Sequence, residues 1–294
     1  MKAKYIVGLG EVLWDILPSG RKLGGAPANF AYHVSQFGLP GCVVSAVGRD
    51  DLGLEIVEKL DLKNIESTIA TVDRPTGTVE VTVDTAGIPS YDIRPDVAWD
   101  HIPFTPELEE LARNTRAVAF GSLAQRSPES RDTIVKFISA MPDTPDTLIV
   151  FDINLRQNHY TKETIEQSLR LCNVLKINDE ELETLKQMFG IKVEGPAASC
   201  RELINICGLK MVILTCGTEG SFVFSANGDE SFISTPQVEV ADTVGAGDSF
   251  TAAFIASLLR GFSVEDAHQR AVETAAYVCT QPGAMPPLPA SLTR

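Results

Sequence analysis

Apolar residues fall into short unbroken runs, separated by longer stretches in which they recur every three or four positions. The runs at 5–9, 42–47, 117–120, 147–152, 174–177, 211–215 and 221–225 predict strands. Their apolarity is continuous rather than alternating, as expected of strands covered on both faces. The periodic stretches predict helices over 28–37, 52–59, 106–113, 128–140, 162–171, 180–189, 197–207, 246–260 and 263–279. Strands alternating with helices imply an α/β fold with a largely parallel, doubly wound sheet, whose ligands bind beyond the carboxyl ends of the strands.

One region has a different period. In TGTVEVTVDTAGIPSYDIR, residues 76–94, Val79, Val81 and Val83 alternate with polar residues before a Gly-containing turn and a second extended run. That predicts a β-hairpin exposed on one face. Residues 11–22 form a second extended excursion. The two together, about 11–22 and 76–96, are expected to make a small sheet outside the core, read either as an edge hairpin without catalytic part or as a lid over a substrate. No internal repeat is present, and the Pro-rich MPPLPASL reads as an end segment. The whole chain, 1–294, is expected to be one domain.

Composition narrows the class. Apolar residues make up 44% and charged residues 22%, which sets aside a disordered or fibrous chain. No apolar run approaches the roughly 20 residues that span a bilayer. The opening MKAKYIVGLGEVLWD is basic and then apolar, but Gly8, Glu11 and Asp15 interrupt it, so a buried first strand is the better reading than a signal peptide. The net charge of −14 argues against nucleic acid as a partner, since phosphate contacts need clustered Lys and Arg. It does not argue against a small phosphate-bearing ligand, which meets local amides and one or two basic side chains. Cys42, Cys172, Cys200, Cys207, Cys216 and Cys279 form no C-x-x-C and read as reduced thiols of a cytoplasmic protein. The scattered histidines do not suggest zinc.

Two segments carry chemistry. In VADTVGAGDSFTAAF, Gly245 and Gly247 let the amides of Gly245, Ala246 and Gly247 converge at the positive end of a helix, an anion site suited to phosphate. Asp248 in the same turn is placed to take a proton from an attacking hydroxyl; alternatively it is only a helix cap. No G-x-x-x-x-G-K-[ST] loop occurs. In LGGAPANFAYHV, Gly24, Gly25 and Asn29 enter a helix, with Asp15 ten residues before Gly25. Carboxylate and amide suit sugar hydroxyls; a tight turn with an N-cap is the alternative. Gly8-Leu9-Gly10 hints at a dinucleotide fingerprint, but Leu13 stands where its third glycine belongs.

GGAPANFA and DTVGAGDSFTAAF, in that order and more than 200 residues apart, resemble the two signature segments of the ribokinase-like (PfkB) carbohydrate kinase family. GRDDLG at 48–53, DINLR at 152–156, NDEE at 178–181 and TCGTEGS at 215–221 match intermediate landmarks. GEVLWDILPSG and YDIRPDVAWDHI look most like bacterial fructokinases. The resemblance implies a Rossmann-type sandwich with a β-sheet lid, and phosphoryl transfer from MgATP to a primary hydroxyl of a small sugar, fructose first and ribose or 2-keto-3-deoxygluconate as alternatives. A non-catalytic sugar-binding relative is the alternative of another class.

Residue by residue, Asp248 matches the catalytic base, and Gly245, Ala246 and Gly247 the anion hole. Asp15, Gly24, Gly25 and Asn29 match sugar-binding positions, with Arg156 as a further candidate for phosphate or a sugar hydroxyl and Arg94 for sugar or a partner subunit. Asn178 and Glu181 match the motif that organises Mg2+ and phosphate, Glu181 through water, although N-capping also explains them. Thr215, Gly217 and Gly220 match the nucleotide turn. Asp242 and carbonyls at Val244, Val278 and Gly283 match a monovalent cation site for K+. TQPGA at 280–284 lacks the basic residues common in that loop, and the apolar Val272 lies near a position where relatives often carry Asn. A homodimer through the lid is expected.

Overall fold

The computed structural model describes residues 4–17, 20–83 and 89–294. Thirteen strands among them make two sheets. The large sheet uses β1 (Tyr5–Leu9), β4 (Gly41–Gly48), β5 (Glu66–Val72), β8 (Thr115–Phe120), β9 (Leu148–Asp152), β10 (Val174–Asn178), β11 (Met211–Thr215), β12 (Ser221–Ser225) and β13 (Glu230–Ile233). The small sheet uses β2 (Leu13–Leu17), β3 (Gly20–Gly24), β6 (Thr78–Val83) and β7 (Pro89–Ile93).

The helices are α1 (Ala26–Gln36), α2 (Asp51–Leu62), α3 (Pro106–Arg113), α4 (Pro128–Ala140), α5 (Lys162–Leu171), α6 (Asp179–Phe189), α7 (Pro196–Cys207), α8 (Ala246–Leu259), α9 (Val264–Cys279) and the short α10 (Ala290–Thr293).

In the large sheet the order is β13-β12-β11-β10-β9-β8-β1-β4-β5. Pairing is parallel from β5 through to β11 and antiparallel for β11–β12 and β12–β13. Winding therefore reverses at β1, which has β4 on one side and β8 on the other. A crevice opens where neighbouring connections leave such a reversal in opposite directions.

Both faces are covered, as the continuous apolar runs require. Val7 and Leu9 of β1 join Leu108, Phe137, Ile165, Leu182 and Leu203 of α3 to α7. Ile6 faces the other way, to Phe30, Phe254 and Ala271 of α1, α8 and α9. Helix α8 is buried along Ser249–Ser257, so its apolar character on all sides reflects a position between α1 and α9.

Gly8 explains the Gly-Leu-Gly pattern. A Cβ there would lie 2.0 Å from the Pro27 carbonyl oxygen, so the glycine seats the start of α1 directly on β1. Helix α1 begins at Ala26, two residues before the expected start, because proline is tolerated in the first turn, where its missing N–H has no intrahelical partner.

Strands β5 and β13 were not expected from the pattern. Both are edge strands whose residues are mostly half-buried or exposed, so neither carries a continuous apolar run. The small sheet runs β3-β2-β6-β7, close to the two expected excursions; the Gly87 turn lies outside the described residues. All six cysteines are free thiols. Among the described residues no helix is long and apolar enough to cross a membrane.

Candidate active site

The crevice gathers side chains from both halves of the chain. Gly245 has a left-handed backbone (φ +80°) and is the N-cap of α8, so the turn before it swings its amides to the helix's positive end. First-turn amides have no intrahelical carbonyl to bond. Ala246 N–H turns back toward Thr243 O at 3.3 Å, leaving the Gly245 and Gly247 amides as the stronger anion donors. Asp248 follows in the first turn.

Asn29, in the first turn of α1, donates from Nδ2 to Asp248 Oδ2 at 2.7 Å. The two signature segments thus meet in one hydrogen bond. That bond uses one end of the Asn29 amide; its Oδ1 is buried without a partner, as is Glu11 Oε2. Buried acceptors without donors are costly, and hydroxyl groups of a polyol would satisfy them.

Asp15 lies on β2 opposite Lys22 of β3. Its Oδ2 would be 2.4 Å from a Cβ at position 24, so Gly24 makes room for the carboxylate. Burial pushes the Asp15 carboxyl up to about 6 against the pull of Lys22 and Arg156. Burial, then the nearby Asp152 charge, raises Asp248 to about 6, while Asn29, Lys176 and Arg156 hold it down. Glu11 is raised to about 7, chiefly by burial.

Arg156 joins the group: its charge favours ionisation of Glu11, Asp15 and Asp248 alike. It sits between Asn154 and Gln157, both with left-handed backbones (φ +41° and +47°). Strained backbone of this kind clusters where a loop is held for function. Arg94 is different. It is exposed beyond β7, and its backbone carbonyl, not its guanidinium, is engaged, by Arg126. No hydrogen bond among the described residues ties the Arg94 side chain to Asp15, Asn29 or Asp248.

Asn178 and Glu181 form a reciprocal capping box at the start of α6. Asn178 Oδ1 accepts from Glu181 N–H at 2.7 Å and Glu181 Oε2 from Asn178 N–H at 2.8 Å. Glu181 Oε1 also accepts from Leu155 N–H at 2.9 Å, bracing the loop that carries Arg156. The capping alternative is therefore present in full, and it places Glu181 beside the site rather than away from it.

Thr215 ends β11, and Gly217 and Gly220 shape the turn to β12, both with positive φ. Cys216 N–H closes that turn on Gly220 O at 2.8 Å.

Three charged groups were missed in the sequence. Lys176, inside the apolar β10, ion-pairs with Asp152 at 3.1 Å with both side chains 11% exposed. Its Nζ is 3.0 Å from where a Gly247 Cβ would stand, beside the anion turn. Burial disfavours the ammonium, but Asp152, Glu181 and Asp248 outweigh it and raise its pKa. Asp152 also accepts from Thr251 Oγ1 at 3.3 Å. Glu11 is the third. A lysine within a run as apolar as VLKIN is the signal that was available, since lysine is almost never buried unless paired.

The candidate cation positions lie close together. Asp242 Oδ2 accepts from Lys22 Nζ at 3.0 Å and from Gly283 N–H at 3.1 Å, and Oδ1 from Val244 N–H at 3.1 Å. The Val278 carbonyl accepts from Gln281 N–H. The four positions lie around two neighbouring loops, and Val244 and Gly283 both direct amide donors at Asp242.

For a divalent ion, no group of three His, Cys, Asp or Glu among the described residues could hold it unaided. Asp152, Glu181 and Asp248 around Lys176 suit a cation that arrives on phosphate and keeps its waters, as magnesium does.

An amide-lined anion turn, an acid hydrogen-bonded across the crevice and acceptors for a polyol define a phosphotransferase acting on an alcohol. The chain belongs to the pfkB family of carbohydrate kinases: residues 20–291 match that family's model. It is 29% identical to an ATP-dependent 6-phosphofructokinase of Thermoanaerobacterium thermosaccharolyticum, over 97% of this chain and 91% of that one. It is 27% identical to a probable fructokinase-3 of Arabidopsis thaliana, over 98% and 89%. The structure of a fructokinase with bound ATP from Xylella fastidiosa superposes with a TM-score of 0.85 at 20% identity, covering 99% and 97%. The chain is thus a sugar kinase on a ribokinase-like fold.

Proposed function

We propose that the chain transfers the γ-phosphoryl group of MgATP to a primary hydroxyl of a small sugar, fructose foremost. The observation that carries this is the Asn29–Asp248 hydrogen bond, which fixes an acid of raised pKa next to the Gly245–Gly247 turn. The sugar lies against Asp15, Gly24, Gly25 and Asn29, its hydroxyls satisfying Asn29 Oδ1 and Glu11 Oε2. Asp248 takes the proton of the attacking hydroxyl, whose oxygen bonds the γ-phosphorus as the bond to the bridging oxygen of ADP breaks. The Gly245 and Gly247 amides and Lys176 neutralise the charge of the transferring group. Magnesium would screen the phosphate oxygens, with Glu181 and Asp152 meeting its water shell.

ATP is assigned to the turn at Thr215, Gly217 and Gly220. Val238, Val240 and Val244 are exposed apolar side chains on the segment leading to α8, a surface that an adenine ring would cover. The small sheet is assigned as a lid that excludes water from the transfer.

Fructose is preferred for the GEVLWDILPSG and YDIRPDVAWDHI segments and the fructokinase relatives. A second reading, fructose 6-phosphate, is favoured by the phosphofructokinase relative and by Arg156, an exposed cation with no carboxylate within ion-pair distance among the described residues. A coupled ADP-release assay over fructose, fructose 6-phosphate, ribose, glucose, 2-keto-3-deoxygluconate and adenosine decides. Fructose should give the highest kcat/KM. A preference for the phosphorylated sugar replaces the first reading with the second, and no ADP release with any acceptor rejects both.

The free thiols suit the cytosol. The small sheet, with its edge strand β3 exposed at Gly20–Lys22, is assigned as the face that pairs with a second copy. Sedimentation equilibrium should give twice the chain mass, and a monomer at all concentrations would reject that pairing.

A further inference from the structure

Lys22 and Asp242 are 220 residues apart, yet their side chains meet at 3.0 Å. Lys22 belongs to β3 of the small sheet. Asp242 lies three residues before the N-cap of α8, in the loop that sets the anion turn. Its backbone is fixed from the other side, because the N–H groups of Ala241 and Asp242 both reach Cys279 O, at 2.8 and 3.2 Å. Gly245 is packed onto the same C-terminal loop, where a Cβ on it would stand 2.7 Å from Ala284 Cβ. The Asp242 carboxylate accepts from Lys22, Gly283 and Val244, and one of those three donors is a full positive charge. Although burial opposes it, these donors hold its carboxyl below the ordinary aspartate value.

An unpaired carboxylate so near the anion turn would repel the phosphoryl group arriving there. We propose that Lys22 is a positioning residue whose ammonium is the counter-cation of Asp242, in the role a bound monovalent metal ion would otherwise fill. Phosphoryl transfer in this protein then needs no K+, and the anion turn reaches its working electrostatics only when β3 is seated against it. The inference rests on the phosphoryl-transfer reading above. The Lys22 side chain is 45% exposed, so changing it leaves the core intact. It also faces Asp15 across the β2–β3 pair, which links the sugar side and the phosphate side through a single lysine.

The test compares KCl with choline chloride at the same concentration, about 100 mM, where screening is equal for both salts. Wild-type kcat for ADP release should agree within about twofold between them. Lys22→Gln in choline should lose about tenfold in kcat with the sugar KM little changed, and KCl should restore most of it. Lys22→Arg should stay near wild type in both salts. The thermal midpoint gives a readout independent of turnover: KCl should raise that of Lys22→Gln by roughly 2 °C over choline and leave wild type unmoved.

Saturable K+ activation of the wild type, or a midpoint rise in wild type equal to that of the variant, overturns the proposal. So does a Lys22→Gln defect that K+ fails to restore, or no defect at all. If no salt supports ADP release, it is the kinase reading that fails, and the midpoints still judge the cation.

Discussion

Asp248 holds a proton more tightly than an ordinary aspartate because burial and Asp152 disfavour its charge, and its pKa rises to about 6. A base works only when ionised, so kcat/KM should fall as pH drops below about 6, by up to tenfold per unit. Asp15 titrates in the same window and Glu11 near 7, so the limb alone does not identify the base. Asp248→Asn does: kcat should fall about 10²- to 10⁴-fold while calorimetry still detects sugar binding, and near-wild-type turnover would remove Asp248 from the mechanism.

Glu11 gives a stability prediction of known sign. Its folded pKa of about 7 lies above its ordinary value of 4.5, so the stabilising proton uptake is fully present at acid pH and lost as pH rises through 7. At pH 8 the buried carboxylate therefore destabilises the fold. Glu11→Gln should raise the thermal midpoint by several degrees at pH 8 and by much less at pH 5, as calorimetry at the two pH values would show.

At this scale the sequence was legible where residues lie beside glycine turns, as Asn29 and Asp248 do. It was not legible for Glu11 and Lys176, single charges within apolar runs. Their burial is decided by partners on other elements, Asp152 of β9 and Glu181 of α6 in the case of Lys176.

Helix α8 begins where it does because Gly245 alone fits its own turn. With φ at +80° and Ala284 within 3 Å of any Cβ, Gly245→Ala must both strain its backbone and push the C-terminal loop away. It should cost about 2–3 kcal/mol and lower kcat, because the anion amides move with the turn. Gly217 is the control: its φ is +53° but nothing lies within 4 Å of a Cβ. Gly217→Ala should therefore cost only the conformational term, about 1–2 kcal/mol. Denaturant unfolding of the two variants separates close packing from φ strain, and equal losses would mean that Ala284 yields freely.

Elements were read from the chain to the extent that they are buried. Strands β1, β11 and β12 fell on their expected residues, since each is an interior run with turn residues around it. Edge strands β5 and β13 gave no such signal, because a half-exposed strand tolerates the polar residues that hide it.

For the molecule as a whole, the alternation of strands and helices was enough to expect the covered parallel sheet. It did not reveal the strand order, and the order brings Asn29 to Asp248 and Lys22 to Asp242. Such contacts between distant segments depend on β1 lying between β4 and β8, which no local pattern encodes.

The same topology supplies a reporter for the assigned lid. The protein has two tryptophans, and both lie at the seam between the small sheet and the core. Trp14, on β2, is fully buried and donates to Leu52 O at 3.0 Å, with Arg21 5.1 Å and Lys59 5.6 Å from its ring. Trp99 lies against Gly77, just before β6, with the Arg126 guanidinium 4.0 Å from its ring. Indole emission depends on neighbouring charge, so movement of the small sheet past these cations should change it. Addition of sugar with a non-hydrolysable ATP analogue should shift the emission saturably, and Trp14→Phe should remove most of the shift, because Trp14 rides on the sheet itself while Trp99 lies outside it. If emission stays constant at concentrations that saturate ADP release, the small sheet is a fixed wall and the lid assignment falls. Lys22 would then be a permanent bridge to Asp242 rather than one made on closure.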